Sequence, residues 1–124
     1  MVGKRRVLVI EDEYLTAMDL TETLEELGFD VCGIARTEDE AVEVAALEHP
    51  DLITADVRLL DGDGITAVRR ITAASPVPVV YISSSDADLN ERAPQAIRVG
   101  KPFNAAMISQ AIETALRAAP RANR

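Results

Sequence analysis

The chain is poor in the residues that carry redox and soft-metal chemistry. It has a single cysteine, Cys32, and a single histidine, His49, among 124 residues. One cysteine excludes an internal disulfide and a cysteine-based metal site, and Cys32 is read as a small hydrophobe in a strand. Tryptophan is absent and the aromatics are two tyrosines and two phenylalanines, so the core must be aliphatic and rich in alanine. Basic residues are in the minority, 13 Lys and Arg against 21 Asp and Glu, and the net charge is −8. That balance argues against nucleic acid or an anionic membrane as a partner, since both need basic surface. Long hydrophobic runs are also missing. The apolar run behind Lys4-Arg5-Arg6 covers only residues 7–10, far too short for a signal-peptide core or a membrane span, and a cytoplasmic location is expected.

What is present is ordinary for a globular protein: 48% apolar and 27% charged residues. A chain of this length can bury about two-thirds of its unfolded surface, enough for one core. The expectation is a single domain over residues 1–124, ordered over about 5–118, with a frayed tail at 119–124.

Residues 7–10 (VLVI) are apolar without alternation, the pattern of a strand covered on both faces. Glu11-Asp12-Glu13 ends the run, and Ala17, Leu20, Leu24 and Leu27 then recur at helical spacing up to Gly28, a helix-stopping glycine. Residues 29–35 suggest a weaker strand; Thr37 with Glu40 forms a capping-box pattern before a helix with Ala41, Val44 and Ala45 on one face, closed by His49-Pro50. A strand follows over 52–55, a helix marked by Ile65, Val68 and Ile71, a strand over 77–82, a short strand over 97–99, and a final helix striped by Ile108, Ala111, Ile112, Ala115 and Leu116. The stretch between Ser83 and Ala96 has little apolar periodicity and contains Pro94, so its helix is expected to be short or poorly formed. Strands alternating with helices at short intervals predict an α/β fold, a doubly wound five-stranded parallel sheet with helices on both faces.

In such sheets ligands sit beyond the carboxyl ends of the strands, where strand order reverses. If the first strand lies between the second and third, that crevice receives Glu11, Asp12 and Asp56. Three carboxylates held together repel by about 1 kcal/mol per pair at 4 Å even in a water-like dielectric, so a cation must accompany them. Oxygen ligands without neighbouring His or Cys select Mg²⁺, or Mn²⁺ in its place. Ser83 and Lys101 add a hydroxyl and an ammonium at the ends of two further strands. A metal, an ammonium and a hydroxyl around a carboxylate suit phosphoryl transfer to a carboxylate, a reaction whose transition state spreads charge over three phosphoryl oxygens.

The segments VLVIEDE, PDLITADVRLLDGDG, PVVYISS and VGKPF resemble, in order and spacing, the receiver domains of bacterial two-component response regulators, and the resemblance covers nearly the whole chain. It implies the flavodoxin-like strand order 2-1-3-4-5. It further implies that Asp56 is the phosphoacceptor, charged in a Mg²⁺-dependent reaction by a sensor histidine kinase or a phosphotransfer protein. Asp12 then looks like the direct metal ligand, Glu11 its partner through water, and Arg58 a ligand through its backbone carbonyl. Ser83 resembles the hydroxyl that closes on the phosphoryl group, Lys101 the cation that contacts it, and Lys101-Pro102 the cis peptide of the family.

Three departures stand out. Leu60 replaces a common proline, which predicts a less rigid loop after Asp56. Arg98 replaces the Tyr or Phe whose rotation reports phosphorylation in many relatives. The interval from Ser83 to Lys101 is short, and with Tyr81 it resembles an atypical receiver subset with a weakly formed fourth helix, in which phosphorylation is expected to order residues 83–96.

The reading is a non-enzymatic, stand-alone switch that assists its own phosphorylation and dephosphorylation and signals by binding another protein or drains phosphate from a kinase. The alternatives are a phosphatase with an aspartyl-phosphate intermediate, which usually needs an acid where Arg58 stands, and a receiver-shaped module that no longer accepts phosphate. His49, before a proline at a helix end, is read as structural or exposed. Asp61-Gly62-Asp63-Gly64 is read as a turn, because Ile65 and Thr66 stand where an EF-hand calcium loop needs its next ligands.

Overall fold

The structure is a computed structural model and describes residues 3–118; the tail expected to fray lies outside the described residues. Ten elements alternate along the chain: β1 (Arg6–Ile10), α1 (Tyr14–Glu26), β2 (Asp30–Ala35), α2 (Glu38–Glu48), β3 (Leu52–Ala55), α3 (Gly64–Ala74), β4 (Val79–Ser83), α4 (Ala87–Arg92), β5 (Arg98–Gly100) and α5 (Ala105–Ala118). All neighbouring strands pair in parallel, in the order β2-β1-β3-β4-β5, as expected.

Because side chains alternate across a strand, each central strand feeds two cores. Leu8, Ile10, Ile53, Ala55 and Tyr81 pack on the face covered by α2, α3 and α4, together with Ile65, Val68, Ile71 and Leu89. Val7, Val9, Leu52, Val80 and Ile82 pack on the other face, against Leu20 and Leu24 of α1 and Ile108 and Ile112 of α5. This two-sided burial explains why residues 7–10 of β1 are all apolar and why β3 is buried throughout, with Thr54 its one polar residue.

Helix ends follow local chemistry. The α1 helix ends in Gly28 at φ +95°, and the Phe29 N–H reaches back to the Leu24 carbonyl at 3.0 Å, the six-to-one bond of a Schellman close. Thr37 Oγ1 accepts from the Glu40 N–H at 3.1 Å, whereas the Glu40 carboxylate accepts from Arg36 N–H at 2.7 Å, one residue before the expected capping-box partner. The α2 helix ends on His49 in the left-handed region at φ 49°, immediately before Pro50. The α3 helix begins at Gly64, with Asp63 as its cap and its Oδ1 accepting from Thr66 N–H at 2.8 Å.

Strand boundaries differ from the sequence reading by one residue at the starts of β1 and β2, and β4 and β5 differ at both ends. The β4 strand begins at Val79, because Pro78 lies just outside it and contributes only a carbonyl, which accepts from Ile53 N–H at 3.0 Å. The β5 strand runs one residue later than read, placing Arg98 in register with Tyr81 and Gly100 with Ser83. Cys32 sits half-buried at a bulge of β2 opposite β1, its Sγ 3.4 Å from the Val7 carbonyl. The fourth helix has six residues and a single buried side chain, Leu89, matching the expectation of a short element.

Candidate functional site

The register of the sheet builds the site. Ile10 pairs with Ala55, so the next residues on the two strands, Glu11 and Asp56, leave the sheet side by side. Their amides continue the ladder: Asp56 N–H donates to the Ile10 carbonyl at 2.9 Å and Glu11 N–H to the Ala35 carbonyl at 2.8 Å. Lys101 enters from the far edge, its N–H donating to the Ser83 carbonyl at 3.1 Å, and the Lys101-Pro102 bond is cis, as the resemblance implied.

The Lys101 ammonium bridges two acids, donating to Asp56 Oδ2 at 2.8 Å and to Glu11 Oε1 at 3.0 Å. Asp12 completes the group, with one carboxylate oxygen of each of Glu11, Asp12 and Asp56 lying within 4.8 Å of the others. Three carboxylates against one ammonium leave an excess of two negative charges when all are ionised, the charge a divalent cation neutralises. The ligand atoms offered are hard oxygens at a spacing an ion can bridge, so the residues fit a metal of the Mg²⁺ type.

Burial tunes these groups unequally. Glu11 is only 2% exposed, and desolvation pushes its carboxyl up to about 7, against the opposing pull of Lys101 and of the Glu13 N–H that donates to Glu11 Oε2. Desolvation pulls the Lys101 ammonium down, but the hydrogen bonds to Asp56 and Glu11 outweigh it and its pKa is raised. Lys101 therefore stays charged, as a cation inside an acidic crevice must.

The loop after Asp56 is held without proline. Its exposed Leu60 stands where the resemblance expected one, but Arg58 pairs with Asp63 in an isolated antiparallel bridge, and Glu38 N–H donates to the Asp61 carbonyl at 3.0 Å. Gly64 N–H donates to the Val57 carbonyl at 2.7 Å. Gly64 is dictated by contact: a Cβ there would lie 1.8 Å from the Asp56 carbonyl oxygen. The helix thus starts directly against the backbone of Asp56. The sequence reading treated residues 61–64 as a turn and missed both roles; the signal available was Asp63-Gly64 immediately before an apolar helical stripe.

A cleft of about 410 Å³ opens over the group, lined by Asp12, Asp56, Arg58, Ser83 and Lys101 among the expected residues, and by Glu13, Ser84, Ser85 and Asp88. Ser83 Oγ is engaged within its own loop, donating to the Ser85 carbonyl at 2.8 Å and accepting from Ser85 N–H at 3.2 Å. All expected site residues converge; Glu11 is buried and does not line the cleft, but its carboxylate lies within 4.8 Å of those of Asp12 and Asp56 and accepts from Lys101. His49 lies elsewhere, in a separate cleft between the ends of α2 and α3 with Pro50 and Arg70.

Among the described residues no helix is long and apolar enough to cross a membrane. Comparison with known proteins gives a consistent result. The chain is 42% identical over 114 residues to the phyllosphere-induced regulator PhyR of Methylorubrum extorquens, covering 89% of this chain and 43% of PhyR. It is 42% identical over 116 residues to the transcriptional regulatory protein PdtaR of Mycobacterium tuberculosis, covering 90% of this chain and 57% of PdtaR. The chain therefore spans about half the length of these relatives. The solution structure of the receiver domain of Erythrobacter litoralis PhyR superposes with a TM-score of 0.86 at 32% identity, covering 98% of this chain and 97% of that one. The family described as the response regulator receiver domain matches residues 7–113, and the chain belongs to that family.

Proposed function

We propose that this chain is a phosphoacceptor switch in which Asp56 takes a phosphoryl group from the phosphohistidine of a sensor histidine kinase or a phosphotransfer protein. The observation that carries the reading is the Lys101 bridge between Asp56 and Glu11, with Asp12 beside them. An Asp56 carboxylate oxygen forms the P–O bond as the P–N bond to the imidazole breaks and its electron pair stays on the departing nitrogen. Lys101 stabilises the charge on one phosphoryl oxygen, and Ser83, once released from Ser85, donates to another. Asp12, Asp56 and the Arg58 carbonyl would hold Mg²⁺ or Mn²⁺, with Glu11 assisting through water, and such an ion would supply charge neutralisation to the transferring group.

Tyr14 and Leu15 follow the cleft residue Glu13, and Leu60 lies two residues after Arg58; all three are large and mostly exposed. Exposed apolar side chains that adjoin the cleft residues in sequence suit a protein donor as the source of the phosphoryl group. Output is by protein binding or by draining phosphate from the kinase, and residues 83–96 gain order when Asp56 is occupied.

Incubation with Mg²⁺ and acetyl phosphate, followed by intact-mass measurement, should add one phosphoryl group to the protein and none to Asp56→Asn. A wild-type chain that gains no mass under these conditions overturns the reading.

A further inference from the structure

The fourth helix lacks the apolar face that holds the other helices. It buries one side chain, and its cap residue Asp86 makes no capping hydrogen bond through its side chain. It is held instead by a guanidinium that belongs to the neighbouring strand. Arg98 Nη1 donates to Asn90 Oδ1 at 2.8 Å; Nη2 donates to the carbonyls of Ala93 at 3.3 Å and Pro94 at 3.2 Å; Nε donates to the Ala96 carbonyl at 3.3 Å. The Asp86 carboxylate lies 3.8 Å from Nη1. The fork thus ties Asn90 of α4 to the carbonyls that follow the helix and sits at its carboxyl end, where a helix leaves carbonyls without partners and where positive charge is favoured.

The other end of α4 reaches the candidate site. Ser83, Ser84 and Ser85 lead into the helix and line the cleft, and Asp88 lines it from within the helix. The far side is tied to the loop after Asp56, because Arg92 Nη2 donates to Thr66 Oγ1 at 3.0 Å and lies 3.2 Å from the Asp63 carboxylate. The helix is therefore a polar bridge between the acceptor loop and β5, and Arg98 is its anchor on the β5 side.

We propose that Arg98 is a positioning residue: it holds α4 on the sheet and thereby sets the serine-rich wall of the cleft, so that occupation of Asp56 is passed to the β4–α4–β5 edge through this fork. The transmission half rests on the phosphoacceptor reading; the anchoring half does not. Arginine suits the task because its planar fork offers five donors at fixed angles, whereas lysine presents one compact ammonium on a flexible stem.

Amide hydrogen exchange of the full chain tests both halves, using Arg98→Met, which keeps the apolar stem, Arg98→Lys, and Asn90→Ala, which removes one acceptor. In the unphosphorylated protein, Arg98→Met should speed exchange at residues 89–96 about tenfold or more, the loss of roughly one charge-assisted hydrogen bond or better. Exchange in β1 and β3 should stay unchanged, Arg98→Lys should not restore protection, and Asn90→Ala should fall between. With Mg²⁺ and beryllofluoride as the phosphoryl mimic, wild type should gain protection at 86–96 and Arg98→Met should not.

Wild-type exchange at 89–96 in Arg98→Met, or full protection in Arg98→Lys, overturns the anchoring role. A gain of protection in Arg98→Met equal to that of wild type overturns the transmission role. Acetyl phosphate labelling of the same samples separates the two readings: a wild type that takes no phosphoryl group defeats the phosphoacceptor reading and the transmission that rests on it, while the exchange of the unphosphorylated variants still decides the anchor.

Discussion

Two helices on the same face of the sheet, α3 and α4, are built in opposite ways. The α3 helix has eleven residues, buries Ile65, Ala67, Val68 and Ile71 and is capped by Asp63. The α4 helix has six residues and buries Leu89 alone; its remaining attachments are the arginine contacts of Arg98, Arg92 and Arg69, the last donating to the Arg92 carbonyl at 2.5 Å. Full burial of a large aliphatic side chain is worth about 1.5–3 kcal/mol, whereas a hydrogen bond contributes about 0.5–1.5 kcal/mol net, less where water competes. The contrast teaches where this protein can move. Apolar area holds the half of the site that must keep its geometry, and polar contacts that can be exchanged for others hold the half that faces solvent.

The largest expected effects separate the two helices directly. Ile65→Ala removes a fully buried side chain from the base of α3 and should lower global stability by about 4 kcal/mol. Leu89 is buried as completely, yet Leu89→Ala should lower global stability by less than half as much. Once α4 detaches, the loss cannot exceed what its own docking contributed, as expected for a small unit that opens by itself. Urea unfolding followed by circular dichroism measures both, and equal losses would mean that α4 is integral to the core and that the contrast is wrong.

A smaller global effect with a sharper local one is expected at Gly64. The Cβ of Gly64→Ala would meet the Asp56 carbonyl oxygen at 1.8 Å, so either α3 or the Asp56 backbone must shift, at a cost of about 2–3 kcal/mol. The shift moves Asp56, so on the proposed phosphoacceptor reading phosphoryl uptake from acetyl phosphate should fall by more than the stability loss explains. Unchanged uptake in folded Gly64→Ala protein would show that the rigid half of the site tolerates displacement.

The same contrast sets what could be read in the sequence. The strands β1 and β3, the α5 stripe and the positions of Asp12, Asp56 and Lys101 were legible because burial on two faces writes nearly continuous apolar runs and the acids stand just beyond them. The cap at Asp63 was legible in principle, since an acid immediately before Gly64-Ile65 is a helix-start signal, but the two aspartates and two glycines of residues 61–64 look equally like a turn. The contacts of Arg98 and Arg92 leave no periodic trace, because one guanidinium can reach backbone carbonyls wherever the chain presents them. The start of α2 shows the same limit in small: Thr37 was read correctly as the cap, but the amide that the Glu40 carboxylate reaches belongs to Arg36 rather than Thr37.

The smallest expected effect tests the joint between the two halves. Asp63 caps α3 and faces Arg92 of α4. Burial pushes its carboxyl upward, but the Thr66 N–H and hydroxyl and the Arg92 guanidinium outweigh burial and hold it below the usual carboxylate range. A carboxyl depressed in the folded state contributes stability that is fully present above its unfolded value of about 3.9 and is lost as pH falls through the lower folded value. At neutral pH, Asp63→Ala should therefore be about 1 kcal/mol less stable than wild type, the usual worth of a cap. Its deficit should shrink as the pH is lowered below about 4, where the unfolded wild-type chain takes up a proton at this carboxyl ahead of the folded one. Asp63→Asn keeps a cap acceptor and should lose less at neutral pH while showing no such convergence. Urea midpoints measured for the three proteins between pH 7 and pH 3 decide it, and a deficit for Asp63→Ala that stays constant across that range would show that the carboxylate's charge plays no part in joining α3 to α4.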